Sequence, residues 1–291
     1  MEGFDLSLGK GQKPLFDDAP ARFRRQISGV DYLHLKGRQS GDLYITRSGW
    51  PVASSILPER WFTGAQFSKP GQALAGATGA VYRVPVAHPV RSNFALVVKF
   101  SRFGQDVGLT VVGRDLNEDA DFMSRVDHAE FLPPFEEFGN LMRLRAQCRG
   151  HFVTQAPLAI YSPPTRYLAW QLGRKGHLQS TYSHRLLASQ RPSEENAKLD
   201  YDWERIYILL YRWMDGIDAE QAFGAGLISE TRMIDWTLQV AAVIRQLGWV
   251  VLDHKPRHLI LRQQKKARSP LMRRGAPVLG LVDYELLFPT T

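Results

Sequence analysis

An α+β fold, with a sheet-rich lobe joined to a helical lobe, is predicted by three features of the 291-residue sequence. Strand-like runs crowd the first half. Two helical patterns with clear ends occupy the middle and the later part. The order is strands, helix, strands, helices, then a loop and two more strand-like pieces, whereas a doubly wound sheet would alternate strand and helix throughout.

Residues 1 to about 40 are polar and glycine-rich with few periodic apolar positions, and are expected to form an arm or loosely packed extension. Strands are expected in "DLYITRS" (42–48), "AVYRVPV" (80–86) and "NFALVVKF" (93–100), where β-branched and aromatic residues alternate with polar ones or form short buried runs. In "PPFEEFGNLMRLRAQC" (133–148), Phe135, Phe138, Leu141, Met142 and Leu144 recur at helical spacing. Pro134 and the early acids Glu136 and Glu137 suit a helix start. "RYLAWQLGR" (166–174) and "RIYILLYRW" (205–213) read as strands separated by a polar insertion, and "MDGIDAEQAFGAG" (214–226) as a turn and a short helix. "SETRMIDWTLQVAAVIRQLG" (229–248) carries the clearest helix. Ser229 caps it, Trp236, Val240, Val243, Ile244 and Leu247 form its apolar stripe, and Gly248 ends it. The loop "GWVVLDHKPRHLILR" (248–262) follows, and "HLILR" with "PVLGLVDYELL" (277–287) completes a hairpin.

An apolar content of 44% supplies one large core or two modest ones. The opening "MEGFDLSLGKGQ" lacks a signal-peptide pattern, and no segment approaches the roughly 20 apolar residues of a membrane span, so a cytoplasmic protein is expected. The one cysteine, Cys148, excludes an intramolecular disulfide and a cysteine metal cluster, and its apolar setting marks it as core. A net charge of +8 attracts nucleic acid, anionic lipid or phosphorylated small molecules without selecting among them. The densest basic stretch, "RQQKKARSPLMRRG" (262–275), has six Lys/Arg and no aromatic for base stacking, so it reads as a solvated loop rather than a nucleic-acid surface.

Five features bear on chemistry. Gly76 and Gly79 in "AGATGAVYRV" suit a turn whose backbone approaches phosphates, although taken alone they are better explained by a ligand-free hairpin, glycine being the commonest turn residue. Lys99 ends a run of buried-strand character, where a cation needs a partner; Glu137 is suitable and Glu136 is its rival. Asp253 lies on the loop after the capped helix. Asp283 ends an apolar strand, where a carboxylate suits magnesium held together with substrate phosphates.

In this order the features resemble the protein-kinase-like superfamily, particularly its atypical, minimal bacterial members acting on lipopolysaccharide or small molecules. "LAGATGAV" resembles the glycine-rich turn, with Leu74 replacing its first glycine. "VLDHKPRHLIL" resembles the catalytic loop H-R-D-L-K-P-x-N-I-L, and "VDYE" resembles D-F-G. The resemblance implies a bilobal fold with an antiparallel-sheet N-lobe at 59–214, interrupted by an insertion around 173–204. An extension at 1–58 would precede it, and a truncated helical C-lobe at 215–291 would carry the catalytic loop and metal-binding strand. It further implies Asp253 and Lys255 as catalytic residues. Gly76, Gly79, Val81, Lys99 and Glu137 would bind nucleotide, with adenine against the backbone near Arg212 to Met214. Asp283 would be the principal metal ligand and His258 would occupy the second metal position. ATP and Mg are the implied cofactors, and a hydroxyl on a small molecule, lipopolysaccharide, RNA or protein is the implied acceptor.

Departures from the pattern keep alternatives open. Val251 and Leu252 replace His-Arg, Glu285 replaces the glycine of D-F-G, and the sequence runs eight residues past Asp283, so no activation segment is expected. His258 replaces asparagine, and imidazole suits Mn better than Mg. The expectation is a phosphotransferase using one Mg or Mn; the alternative is an inactive pseudokinase scaffold. Nucleic-acid binding through 262–275 is a third reading, distinguished by steep salt dependence. A zinc pair of His254 and His258 requires a helix across Pro256, which costs about 3 kcal/mol, and lacks the glutamate of zinc proteases.

Overall fold

The computed structural model describes residues 4–9, 11–37, 39–62, 72–74, 80–88, 94–108, 126, 128–176, 178–179, 201–263, 270–273 and 275–290. The fold is mixed α+β, with one large antiparallel sheet and few helices. It divides into two units: residues 1–105, 133–139 and 156–213, and residues 106–132, 140–155 and 214–291.

The first unit is built on eight antiparallel strands. These are β1 (Arg24–Ile27), β2 (Val30–Gly37), β3 (Gly41–Thr46), β4 (Gln72–Ala73), β5 (Val81–Pro85) and β6 (Ala95–Phe100), then, beyond β7 (Val153–Thr154) of the second unit, β8 (Pro157–Ser162) and β9 (Ile208–Arg212). Their order is β1-β2-β3-β8-β9-β6-β5-β4. Both faces are covered. On one, Leu33, Leu35, Leu43, Ile45, Val84, Leu96, Val98 and Leu210 pack with Trp50, Trp61 and the helical turn α1 (Ala53–Ile56). Each such side chain contributes about 1.5–3 kcal/mol on full burial. On the other, Tyr32 and Tyr44 meet Phe135 at ring-centroid distances of 5.6 and 4.9 Å. Phe135 lies near the start of α2 (Pro134–Gln147).

Residues 1 to 40, expected as a loose arm, contain β1 and β2, and Phe4 and Leu8 are buried in the same core. The physical reason is the period-two pattern of β2: Leu33 and Leu35 face one layer while Tyr32 and His34 face the other. The strand expected at 166–174 is also corrected. Its centre is a 3-10 turn, Ala169–Leu172, ended by Gly173 at φ 67°, a left-handed conformation that glycine adopts without strain.

The second unit contains α3 (Ala219–Gly224), α4 (Glu230–Gln246) and a four-stranded sheet ordered β10-β12-β15-β7, where β10 is Ile217–Asp218, β12 is Leu259–Leu261 and β15 is Leu279–Leu281. β11 (Trp249–Val251) pairs with β16 (Leu287–Pro289), and β13 (Met272–Arg273) with β14 (Ala276–Pro277). The ends of α4 follow the sequence: Ser229 Oγ accepts from the Arg232 N–H, and Gly248 adopts φ 81° just past the C-cap Leu247. Val240 and Ile244 are buried along its stripe. Cys148 is buried, as expected. No helix among the described residues is long and apolar enough to cross a membrane.

Candidate functional site

In the first unit, the β5–β6 register sets Val81 directly opposite Lys99. Period-two alternation turns Lys99 away from Leu96 and Val98, toward the layer that α2 covers. Its Nζ lies 3.1 Å from Glu137 Oε1, with 8% and 1% of the two side chains exposed. Glu137, not Glu136, is therefore the partner of Lys99. Tyr211 on β9 donates to the same Oε1 at 2.5 Å, and its ring meets Phe138 at 5.2 Å. Two successive residues of α2 thus seat on Tyr211. Gly139 lets the helix approach closely, since a Cβ there would collide with the backbone carbonyl of Ser28.

In the second unit, the loop between β11 and β12 carries Asp253, Lys255 and His258. Lys255 Nζ donates to Asp253 Oδ2 at 2.6 Å, and both side chains remain about one-third exposed. Pro256 opens a 3-10 turn, Pro256–His258, closed by a bond from the His258 N–H to the Lys255 carbonyl. His254 Nε2 donates to the Thr237 carbonyl of α4 at 3.0 Å. The two histidines therefore do not share an α-helical face, which removes the geometry a zinc pair on a helix requires. β12 and β15 pair Leu259 with Leu281, and the Val282 N–H donates to the His258 carbonyl. This register brings His258 Nε2 to 3.6 Å from Asp283 Oδ2.

Asp283 itself adopts φ 65°, a left-handed conformation disfavoured for a side chain by roughly 1–2 kcal/mol. Such strained residues cluster at functional sites. The next residue fixes the turn: Tyr284 hydroxyl donates to the Leu281 carbonyl and accepts from the Gln155 N–H at 2.9 Å. Burial pushes the Tyr284 phenol well above its ordinary range. Glu285 is buried, and its carbonyl accepts from Leu132 N–H. Met214 is buried with its sulfur against Gly280, where a Cβ would collide.

Gly76 and Gly79 lie outside the described residues, as do 180–200 of the expected insertion and 264–269 and 274 of the basic stretch. No group of three or more His, Cys, Asp and Glu among the described residues gathers to hold a metal. His258 and Asp283 bring only one imidazole nitrogen and one carboxylate within 3.6 Å of each other, two donors of the kinds that divalent cations take.

Sequence reasoning missed Tyr211 as a member of the buried pair. The available signal was a tyrosine inside an apolar strand, whose hydroxyl needs a partner when buried. A second network was also missed: His34 Nε2 donates to Asp42 Oδ1 at 2.8 Å and Arg205 to Asp42 Oδ2 at 2.5 Å. Burial alone would raise the Asp42 carboxyl, but these bonds outweigh it and hold the group below its ordinary value. No protein-family model matches the chain, and no curated protein matches it significantly.

Proposed function

We propose that this chain is an ATP-dependent phosphotransferase with a hydroxyl acceptor and a kinase-like bilobal organisation. The observation that carries the reading is the buried Lys99–Glu137 pair, assembled from a central strand and a helix 38 residues apart. A buried ion pair contributes little net stability compared with an apolar pair of the same volume. Its presence on a sheet whose opposite face carries the large apolar core suits a lysine held ready for phosphate oxygens.

On this reading each unit has its own task. In the first, Glu137, itself bonded by Tyr211, holds Lys99, which would orient the α- and β-phosphates beside Val81. In the second, Asp283 and His258 would hold Mg or Mn, which would supply positive charge to offset that of bound phosphates. Asp253 aligns the acceptor hydroxyl and takes its proton, and Lys255 steadies the carboxylate and the transferring phosphoryl group. Met214 supplies backbone contact to the base. The one-third exposure of Asp253 and Lys255 suits contact with an acceptor.

The second reading, a nucleotide-binding scaffold without turnover, is favoured by His258 lying beside Asp283 where a second metal ligand is expected. Thermal-shift titration with ATP and each of Mg and Mn, followed by phosphate-release measurements, separates the two. Turnover lost in Asp253→Asn with nucleotide binding retained supports the phosphotransferase. Binding without turnover in the wild type supports the scaffold, and neither binding nor turnover removes both.

A further inference from the structure

Strand β5 brings a second cation onto the Lys99 face of the first sheet. Val84 is buried in the apolar core on the opposite side, so Val81, directly across from Lys99, and Arg83 point together toward the other face. Arg83 pairs with Val97, and Val97 with Tyr211, which sets this row next to that of Lys99, about 7 Å along the strands. The following row is Pro85 with Ala95, whose carbonyl accepts from the Trp213 N–H at 3.0 Å. The Arg83 guanidinium lies over the Trp213 ring, 5.0 Å from its centroid. Lys99 has Glu137 as its counter-charge. Arg83 differs: its buried Nε has no hydrogen-bond partner, and among the described residues no carboxylate pairs with it. A charged N–H shielded from water without an acceptor is disfavoured, and a ring face attracts the cation without supplying one. Because no hydrogen bond fixes its plane, the guanidinium is open to turning its fork of donors onto a ligand. Val81 and Arg83 stay partly exposed, which leaves this end of the face accessible.

We propose that Arg83 reads the nucleobase, and that the site takes guanine nucleotides in addition to ATP. The inference rests on the nucleotide-binding role proposed for Lys99: with phosphates at Lys99, the base lies toward Trp213, and Arg83 stands between the two rows. An arginine fork matches two neighbouring acceptors. The N7 and O6 atoms of guanine are such a pair, whereas adenine offers N7 beside an amino group that itself donates. A base also stacks on aromatic and guanidinium planes, which Trp213 and Arg83 supply together. A further phosphate would use the charge of Arg83 but gain nothing from the ring.

The test is calorimetric titration of the full chain, in the presence of Mg, with GTP, inosine triphosphate and ATP. Inosine shares N7 and O6 with guanine and lacks its amino group. The expected result is that GTP and inosine triphosphate bind at least as tightly as ATP, and that Arg83→Met lowers the ratio of GTP to ATP affinity about tenfold. Arg83→Lys keeps the charge but not the planar fork, and should lower the same ratio. Because each ratio is taken within one variant, a general weakening of the fold or of nucleotide binding cancels. A wild type that binds ATP but neither GTP nor inosine triphosphate overturns the inference and leaves the nucleotide-binding reading in place. So does a ratio that either variant leaves unchanged. A wild type that binds no nucleotide overturns both.

Discussion

Replacing Glu137 by glutamine removes one charge from the buried pair and little else. The carboxamide keeps the carboxylate's shape, and its Oε1 can still accept from the Tyr211 hydroxyl. Lys99, however, loses its counter-charge at a position only 6% exposed, opposite a glutamate only 1% exposed. Breaking a buried ion pair from one side costs about 3–5 kcal/mol, because it leaves an uncompensated charge. This is a large share of the about 5–15 kcal/mol that holds a typical domain folded. With a urea dependence of about 2 kcal/mol per molar, the midpoint should fall by about 1.5–2.5 M. Urea titration followed by circular dichroism measures it. The double variant Lys99→Met/Glu137→Leu should lose less than the sum of its two single variants, by about 1–3 kcal/mol of coupling. A Glu137→Gln midpoint within about 0.2 M of the wild type, together with strict additivity in the cycle, refutes the buried pair.

Tyr211→Phe deletes a hydroxyl that bonds a buried carboxylate at 2.5 Å, and should cost about 1.5–3 kcal/mol in the same urea titration. Gly139→Ala tests helix placement by its sign. In an open helix it would stabilise by about 1 kcal/mol, but against the Ser28 carbonyl it should destabilise by about 1–3 kcal/mol, read as a lower thermal midpoint. Asp42, held below its ordinary carboxyl range, contributes stability that is complete above its unfolded pKa of about 3.9 and lost as pH falls through its lower folded value. Asp42→Asn should therefore lose less stability than the wild type between about pH 5 and pH 2, measured by acid titration of the urea midpoint.

Much of the fold follows from local signals. The caps at Ser229 and Gly248 and the stripe of α4 are readable because they depend on neighbours in sequence. Ala95–Phe100 reads as a buried strand because its apolar run is short and β-branched. The early strands escaped because β2 is buried on both faces, and polar His34 and Asp31 break the run that buried strands usually show. The 166–174 loop was misread for the opposite reason: its apolar residues mimic a strand while its backbone bonds go to a turn and to Gly104 and Glu204. Within the candidate site, Lys99 and Glu137 were legible as a charge in need of a counter-charge. Tyr211 was not assigned, because only the β6–β9 pairing of Val97 with Tyr211 brings it beside them. The Asp253–Lys255 bond follows from two-residue spacing, whereas the approach of His258 to Asp283 depends on the register of β12 with β15.

The proposed role of Lys99, held for nucleotide phosphates, is tested most directly by calorimetric titration of wild type and Lys99→Met with ATP and Mg. The expected result is saturable binding to the wild type and affinity about tenfold to a hundredfold weaker in the variant, the loss of one charge-assisted bond to phosphate. A wild type that takes up no nucleotide, or a Lys99→Met variant that binds it as tightly, would contradict the account.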